Sequence, residues 1–311
     1  MNREDIGREL LIDWQVRELL GEFAKDAIES IVLKGAALRE TVYAPGLRPI
    51  DDLDLLIQKK DLPDIERVLA RLNYQVLPCG ELNFIRPGCP VAIDLHTEIW
   101  YLSKKNLEQL WSRALLFEID GVEARSLGPQ DNLIFIVAHA AIHHGWLEDK
   151  WLMDCALIIK KYNLDWEELY RQAKLYNLAF SLREVLTRVQ KIEVGFSDEL
   201  CEKITTSIER LSWVKIPGWQ KKILSRVWRS APVGDIGHLL RPMIIPGFFF
   251  KLNFLIKFLF PAPVFVLRRY QSSCLMLPFL YLYRPISLVF KGFKILFQCF
   301  LSPRPLGPLI P

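Results

Sequence analysis

The chain has 311 residues, 51% of them apolar, enough to bury two cores of ordinary size and too many for a disordered or low-complexity protein. Six cysteines stand at positions 79, 89, 155, 201, 274 and 299 with no CxxC pair, which excludes a zinc knuckle or disulfide framework and predicts reduced, mostly buried thiols. The net charge of +4 divides unevenly: residues 1–200 carry 24 Lys/Arg against 33 Asp/Glu, hence −9, and residues 201–311 carry 16 against 3, hence +13.

The first ten residues, MNREDIGREL, are charged from the third onward and lack the apolar core of a secretory signal, so the expected location is the cytoplasm. Over residues 9–28 the apolar positions Leu10, Leu11, Trp14, Leu19, Leu20, Phe23 and Ile28 recur at spacings of three to five and predict an amphipathic helix covering a sheet. The run Ile31-Val32-Leu33 is too short for a helix and closes on Lys34-Gly35, so it predicts a buried strand and a tight turn, followed by a helix over 36–43. Residues 44–49 hold two prolines and a glycine and predict a loop. Asp52-Leu53-Asp54-Leu55-Leu56-Ile57 then alternates before turning fully apolar, as a strand entering a core does.

Asp61 and Pro63 mark a helix start for residues 61–73. Strands are predicted over 74–77 and 91–99; in the second, period two places Asp94, His96 and Glu98 on one face. A helix over 106–115 and a strand or hairpin over 117–127 complete an α/β part. Beyond Gly128-Pro129 the pattern becomes helix after helix, over 130–146, 151–162, 165–175 and 181–192. The predicted division is therefore an α/β domain over 1–128 and a mostly α-helical domain over 129–311, basic and apolar toward its end. There Lys251, Lys257, Arg268 and Arg269 interrupt one apolar stretch, and Pro278 and Arg284 the next. No uncharged run reaches the ~20 residues that cross a bilayer, so the expectation is no transmembrane span. Helices packed in a domain and peripheral contact with anionic membrane through 243–300 are the two readings of this segment.

Spacing two along a strand puts the Asp52 and Asp54 side chains on the same face, close enough to share metal ions, with Asp94 on a neighbouring strand as the third carboxylate. Asp51 falls on the opposite face. Magnesium, or manganese, suits oxygen ligands and leaves positions for substrate phosphates; two such ions serve an in-line displacement. Gly35 lets backbone approach an anion, the first amides of the following helix are unsatisfied, and Lys34 adds a positive charge. Arg48, in the loop before the carboxylates, is a candidate clamp for a triphosphate, and His96 a candidate to orient a ligand or the acceptor. His139 and His143, four apart on one helix, share a face and suit metal, acceptor contacts or a structural network, with Asp154 following on the next helix.

The order strand, Lys-Gly turn, helix and DxD strand resembles the nucleotidyltransferase superfamily of polymerase-β-like fold. More narrowly, Leu33-Lys34-Gly35-Ala36-Ala37-Leu38, Tyr43, Arg48-Pro49-Ile50-Asp51-Asp52-Leu53-Asp54-Leu55-Leu56-Ile57 and Ile93-Asp94-Leu95-His96 resemble an uncharacterised bacterial nucleotidyltransferase family with KGxxL, RPxxDxDLL and DLH motifs, over roughly residues 10–165. The resemblance implies an α/β (α+β) core with a mixed sheet, an active site between it and a helical domain, and metal-dependent transfer of a nucleoside monophosphate from an NTP, ATP among the candidates, to a hydroxyl or phosphate acceptor. It implies Asp52, Asp54 and Asp94 as catalytic metal ligands and the Lys34-Gly35 turn as the nucleotide contact; position adds Arg48 to the nucleotide contacts and His96 to the acceptor side, and His139, His143 and Asp154, which the family shares without an established role, are read as acceptor-side contacts or a structural network. The chain departs from the superfamily in having Lys34-Gly35 where Gly-Ser is usual. A tRNA-modifying transferase, with the +13 block as its RNA footprint, and a catalytically silent nucleotide-binding module are the rival readings.

Overall fold

The computed structural model describes residues 3–77, 82–119, 121–145, 147–192, 194–228, 236–245 and 247–301, with the side chains of 3, 238, 268, 296 and 298–301 outside that description. The chain divides into two compact units, Met1–Gly128 with Arg268–Gln271, and Pro129–Leu267 with Ser272–Pro311.

In the first unit, α1 (Arg3–Lys25) buries Ile12, Val16, Leu19, Leu20 and Phe23, positions that fall on one stripe at helical period. Leu10, Leu11 and Trp14, expected on that stripe, lie about a quarter-turn or more away from it and are exposed. The strands β1 (Ser30–Val32), β2 (Asp52–Ile57), β3 (Gln75–Val76), β4 (Asn83–Ile85), β5 (Ala92–His96), β6 (Leu115–Ile119) and β7 (Val122–Ser126) form a seven-stranded sheet in the order β3-β4-β5-β2-β1-β7-β6. Its parallel pairs are β2 with β5 and β1 with β7; the other pairs are antiparallel. The sheet is thus mixed and the fold α/β. Between the strands run α2 (Lys34–Thr41), α3 (Leu62–Arg71) and α4 (Lys104–Ser112).

Period two sorts the central strands. Leu53, Leu55 and Ile57 of β2, with Ile93 and Leu95 of β5, join α1 and α3 in one apolar core, which leaves Asp52, Asp54, Asp94 and His96 for the other face. Gln15, fully buried on α1, donates to the Val91 carbonyl (2.8 Å) and to the Tyr74 hydroxyl (3.0 Å) and accepts from the Val91 amide (3.3 Å), and so pins the entry of β5. Strand 91–99 is shorter than expected; Glu98 lies beyond its end and is exposed.

The second unit begins with α5 (Pro129–Ala138), which passes into a π-helix over His139–His144 and ends at Gly145 with φ 62°. Trp146, the expected last residue of this helix, lies outside the described residues. Then follow α6 (Asp149–Lys161), α7 (Trp166–Leu175), α8 (Ala179–Val189), α9 (Asp198–Ser212), α10 (Gly218–Val227), α11 (Gly237–Ile244), α12 (Phe248–Leu259), α13 (Pro263–Tyr270) and α14 (Leu277–Leu301).

The expectation that prolines and charges break the last apolar segment is corrected. Pro278 sits in the first turn of α14, where a missing amide costs nothing, and the helix runs on through Pro285. Arg284 is taken out of solvent by bonds to the Phe258 carbonyl (3.1 and 3.3 Å) and by stacking on the Phe258 and Phe265 rings. Cys274–Ile295 is consequently a stretch long and apolar enough to cross a membrane by length and composition, with 6% of it buried. The described cysteines are unpaired; Cys155 is buried and Cys89 half-buried, but Cys201 and Cys274 are exposed, because they lie on solvent-facing positions of their helices.

Candidate functional site

The site is built on the parallel pairing of β2 with β5, which sets Asp54 opposite Asp94 and Leu56 opposite His96. Two carboxylates on adjacent strands repel, and a third group settles the matter. The Lys34 ammonium lies 2.6 Å from Asp54 Oδ1, and His96 Nε2 reaches the same oxygen at 2.9 Å and Asp94 Oδ2 at 3.5 Å. Burial disfavours the Asp54 charge, yet Lys34 and His96 together outweigh it and hold its carboxyl below the ordinary carboxylate range. Asp94 goes the other way. Loss of water raises its carboxyl, the Asp54 charge adds to this, and His96 and a hydrogen bond with Asn83 oppose it. One carboxylate is thus held firmly charged beside another that is easier to protonate.

Asp54, Asp94 and His96 offer ligand atoms that all lie within 4.8 Å of one another, close enough to hold a metal ion. The sequence placed His96 on the Asp94 face; the parallel register brings it onto Asp54 as well. Asp52 stands at the start of β2 and keeps solvent exposure. Its carboxyl is nonetheless raised, first by partial loss of hydration and then by the Asp54 charge, so it belongs to the same electrostatic cluster at its outer edge.

Lys34 reaches Asp54 from a strained backbone. It opens α2 with φ 52°, a left-handed conformation that costs a residue with a Cβ about 1 kcal/mol or more. Leu33 caps the helix without a side-chain bond and there is no acid in the first turn, so the opening amides of α2 are available to an anion. Gly35 is buried, and a Cβ there would come 2.9 Å from Ile50 Cγ2 and 3.3 Å from the Arg48 guanidinium carbon. Arg48 therefore lies against the Lys34-Gly35 turn, its guanidinium donating to the Pro49 carbonyl at 2.7 Å. The glycine is required by close approach, a different reason from the phosphate contact expected of it.

His139, His143 and His144 gather in the second unit, where the π-helix changes their partners. With hydrogen bonds closing over five residues, His139 meets His144, Nε2 to Nε2 at 2.9 Å, rather than pairing mainly with His143. His144 stacks on Trp151 with ring centroids 4.7 Å apart, and the Arg241 guanidinium bonds to His143 Nδ1. Asp154 is buried at 1% exposure. Sequence reasoning missed Asn83, because β4 is a three-residue strand with no alternation to reveal it. It also missed the inward turn of Lys34, which depends on a backbone angle that no residue type advertises.

The first unit is thus an α/β unit with a mixed sheet that carries a carboxylate pair, a histidine and a lysine beside a helix start without a side-chain cap. The chain belongs to a family of uncharacterised nucleotidyltransferases, whose profile matches residues 2–192. Among solved structures, an antigenic nucleotidyltransferase-like protein from Paracoccidioides brasiliensis is similar at 15% identity and a TM-score of 0.38, over 62% of this chain and 92% of that one. No curated protein matches the chain.

Proposed function

We propose that the first unit transfers a nucleoside monophosphate from an NTP to a hydroxyl or phosphate acceptor, forming the acceptor oxygen–α-phosphorus bond and releasing pyrophosphate. The observation that carries this reading is the in-register Asp54–Asp94 pair with His96 between the two carboxylates and Lys34 on the buried one. The donor set fits a divalent cation. Carboxylate oxygens suit magnesium, and the imidazole makes manganese equally acceptable. Asp54, Asp94 and His96 would hold it, with Asp52 at the edge toward solvent; such an ion, when bound, draws charge from the phosphates and helps ionise the attacking hydroxyl.

The chain's own groups divide the remaining work. Lys34 occupies the Asp54 oxygen as a resident cation. With the carboxylates balanced by a divalent ion, its ammonium would be free to join the α2 amides and Arg48 in receiving the triphosphate. A second reading, a nucleotide-binding module without transfer activity, is favoured by the same Lys34–Asp54 bond, because it neutralises the pair without any metal.

Calorimetry of each NTP with and without magnesium, followed by incubation of cell extract with α-labelled NTPs, tests both. Magnesium-dependent binding with label appearing in a small molecule, a protein or RNA supports transfer and identifies the acceptor class. Binding with no label transferred favours the silent module, and absence of magnesium-dependent binding overturns the metal reading.

A further inference from the structure

No Asp or Glu follows Asp235 in the sequence, so the cations of α12 and α14 face no acid from their own segment. The faces of α14 are distributed in reverse of a water-facing helix. Its packed side carries Tyr281, whose hydroxyl donates to the Pro261 carbonyl at 2.6 Å, then the buried Arg284 on the Phe258 carbonyl, then Gly292, where a Cβ would come 3.5 Å from Leu239. Its outward side carries Phe279, Tyr283, Ile286, Phe290, Phe293 and Phe297, spaced by alternating steps of four and three and all exposed. Phe248, Phe249 and Phe250 at the start of α12 are 62–81% exposed. An apolar surface of this extent is a contact surface.

We propose that the outward face of α14, together with the Phe248–Phe250 start of α12, docks in the plane of an anionic phospholipid bilayer. Lys291 and Lys294 are exposed, each one residue beyond a phenylalanine of the stripe, and Lys257 is exposed on α12. Lysine is depleted from the cores of protein–protein interfaces. At a bilayer surface its stem lies along apolar groups while the ammonium reaches lipid phosphate. Charge complementarity therefore selects anionic lipid over a second protein. In-plane docking also follows from the packed side: a helix crossing the bilayer would carry Arg284 and its contacts into the hydrocarbon, whereas a helix lying flat keeps them on the protein side.

The test is flotation of the full chain with vesicles of phosphatidylcholine alone and of phosphatidylcholine enriched in phosphatidylglycerol, across a salt series. The expected result is binding to the anionic set that falls as screening shortens the reach of the lysines. Lys291→Gln with Lys294→Gln should lower partitioning roughly 30-fold, about fivefold for each lysine near the surface. Phe290→Ser with Phe293→Ser should lower binding to the anionic set as well, with far-UV circular dichroism unchanged because both side chains are exposed. The wild-type salt series decides the matter even if a variant fails to fold. Absence of vesicle binding overturns the proposal, and so does resistance to alkaline carbonate extraction, which means a span. Self-association in sedimentation velocity that Phe290→Ser with Phe293→Ser abolishes, with vesicle binding unaltered, overturns it in favour of a second copy.

Discussion

Replacing Lys34 by methionine keeps the unbranched stem, one atom shorter, and removes the charge that faces Asp54. The two side chains are 16% and 1% exposed and 2.6 Å apart, and breaking such a buried pair costs about 3–5 kcal/mol because the surviving charge is left in low dielectric. His96 still bonds to the same oxygen, which places the expected loss near the lower end, about 3 kcal/mol. The sign with pH follows from Asp54. In the wild type its carboxyl lies below the ordinary 3.8, so its contribution is present above that value and is lost as pH falls through the lower folded value. In the variant burial dominates and raises the carboxyl, so the deficit is largest at neutral pH and shrinks as acid protonates Asp54. Urea denaturation in EDTA, at neutral pH and near the ordinary carboxylate range, measures both ends. A double-mutant cycle with Asp54→Asn should show the two losses to be strongly non-additive. Equal stability of Lys34→Met and wild type at neutral pH, or simple additivity in the cycle, would refute the reasoning.

Asp94→Asn should weaken magnesium-dependent NTP binding by about tenfold or more while leaving the melting temperature in EDTA little changed, since it removes a half-exposed ligand without changing volume; calorimetry that shows wild-type affinity removes Asp94 from the site. Gly35→Ala should destabilise by about 1–3 kcal/mol and displace Arg48, because Ile50 and the guanidinium leave no room for a Cβ; a neutral result in chemical denaturation would mean that the Arg48 loop yields freely. Burial raises the Tyr74 hydroxyl to about 12 against an ordinary 10.0, with the Gln15 bond opposing. The raised value makes its stability contribution complete below pH 10 and lost on the way to about 12, worth on the order of 2–3 kcal/mol. Alkaline denaturation of Tyr74→Phe should be correspondingly flatter, and a slope equal to wild type would count against this burial.

The carboxylates were legible because a strand has a period of two. Asp52 and Asp54, and Asp94 and His96, declare their shared faces in the sequence itself, and the apolar residues between them declare the core on the other side. Register was not legible. That Asp54 stands opposite Asp94 depends on a parallel pairing across forty residues of chain, between two strands that neither motif joins in the sequence. Lys34 was read as a charge for the phosphates; its bond to Asp54 was not legible, because it depends on a left-handed backbone angle. On α14, proline and arginine were taken to interrupt an apolar segment, but position decided otherwise: a proline in the first turn breaks nothing, and an arginine with a carbonyl and two rings is no longer a surface charge.

The pairing of β2 with β5 also bears on the order in which the unit assembles. The β1–β2 ladder joins residues 23 to 27 apart in the chain and the Lys34–Asp54 bond residues 20 apart, whereas Asp54 and Asp94 meet across 40. Closing the shorter loop costs less entropy, which favours placing the ammonium on Asp54 before the second carboxylate arrives. Had β5 docked first, its approach would have been opposed by an unscreened like charge at the centre of the forming sheet. Lys34 thus serves as a counterion built into the chain, and a chain lacking it closes its central strands around a carboxylate that His96 alone balances, until a metal ion or a proton makes up the difference.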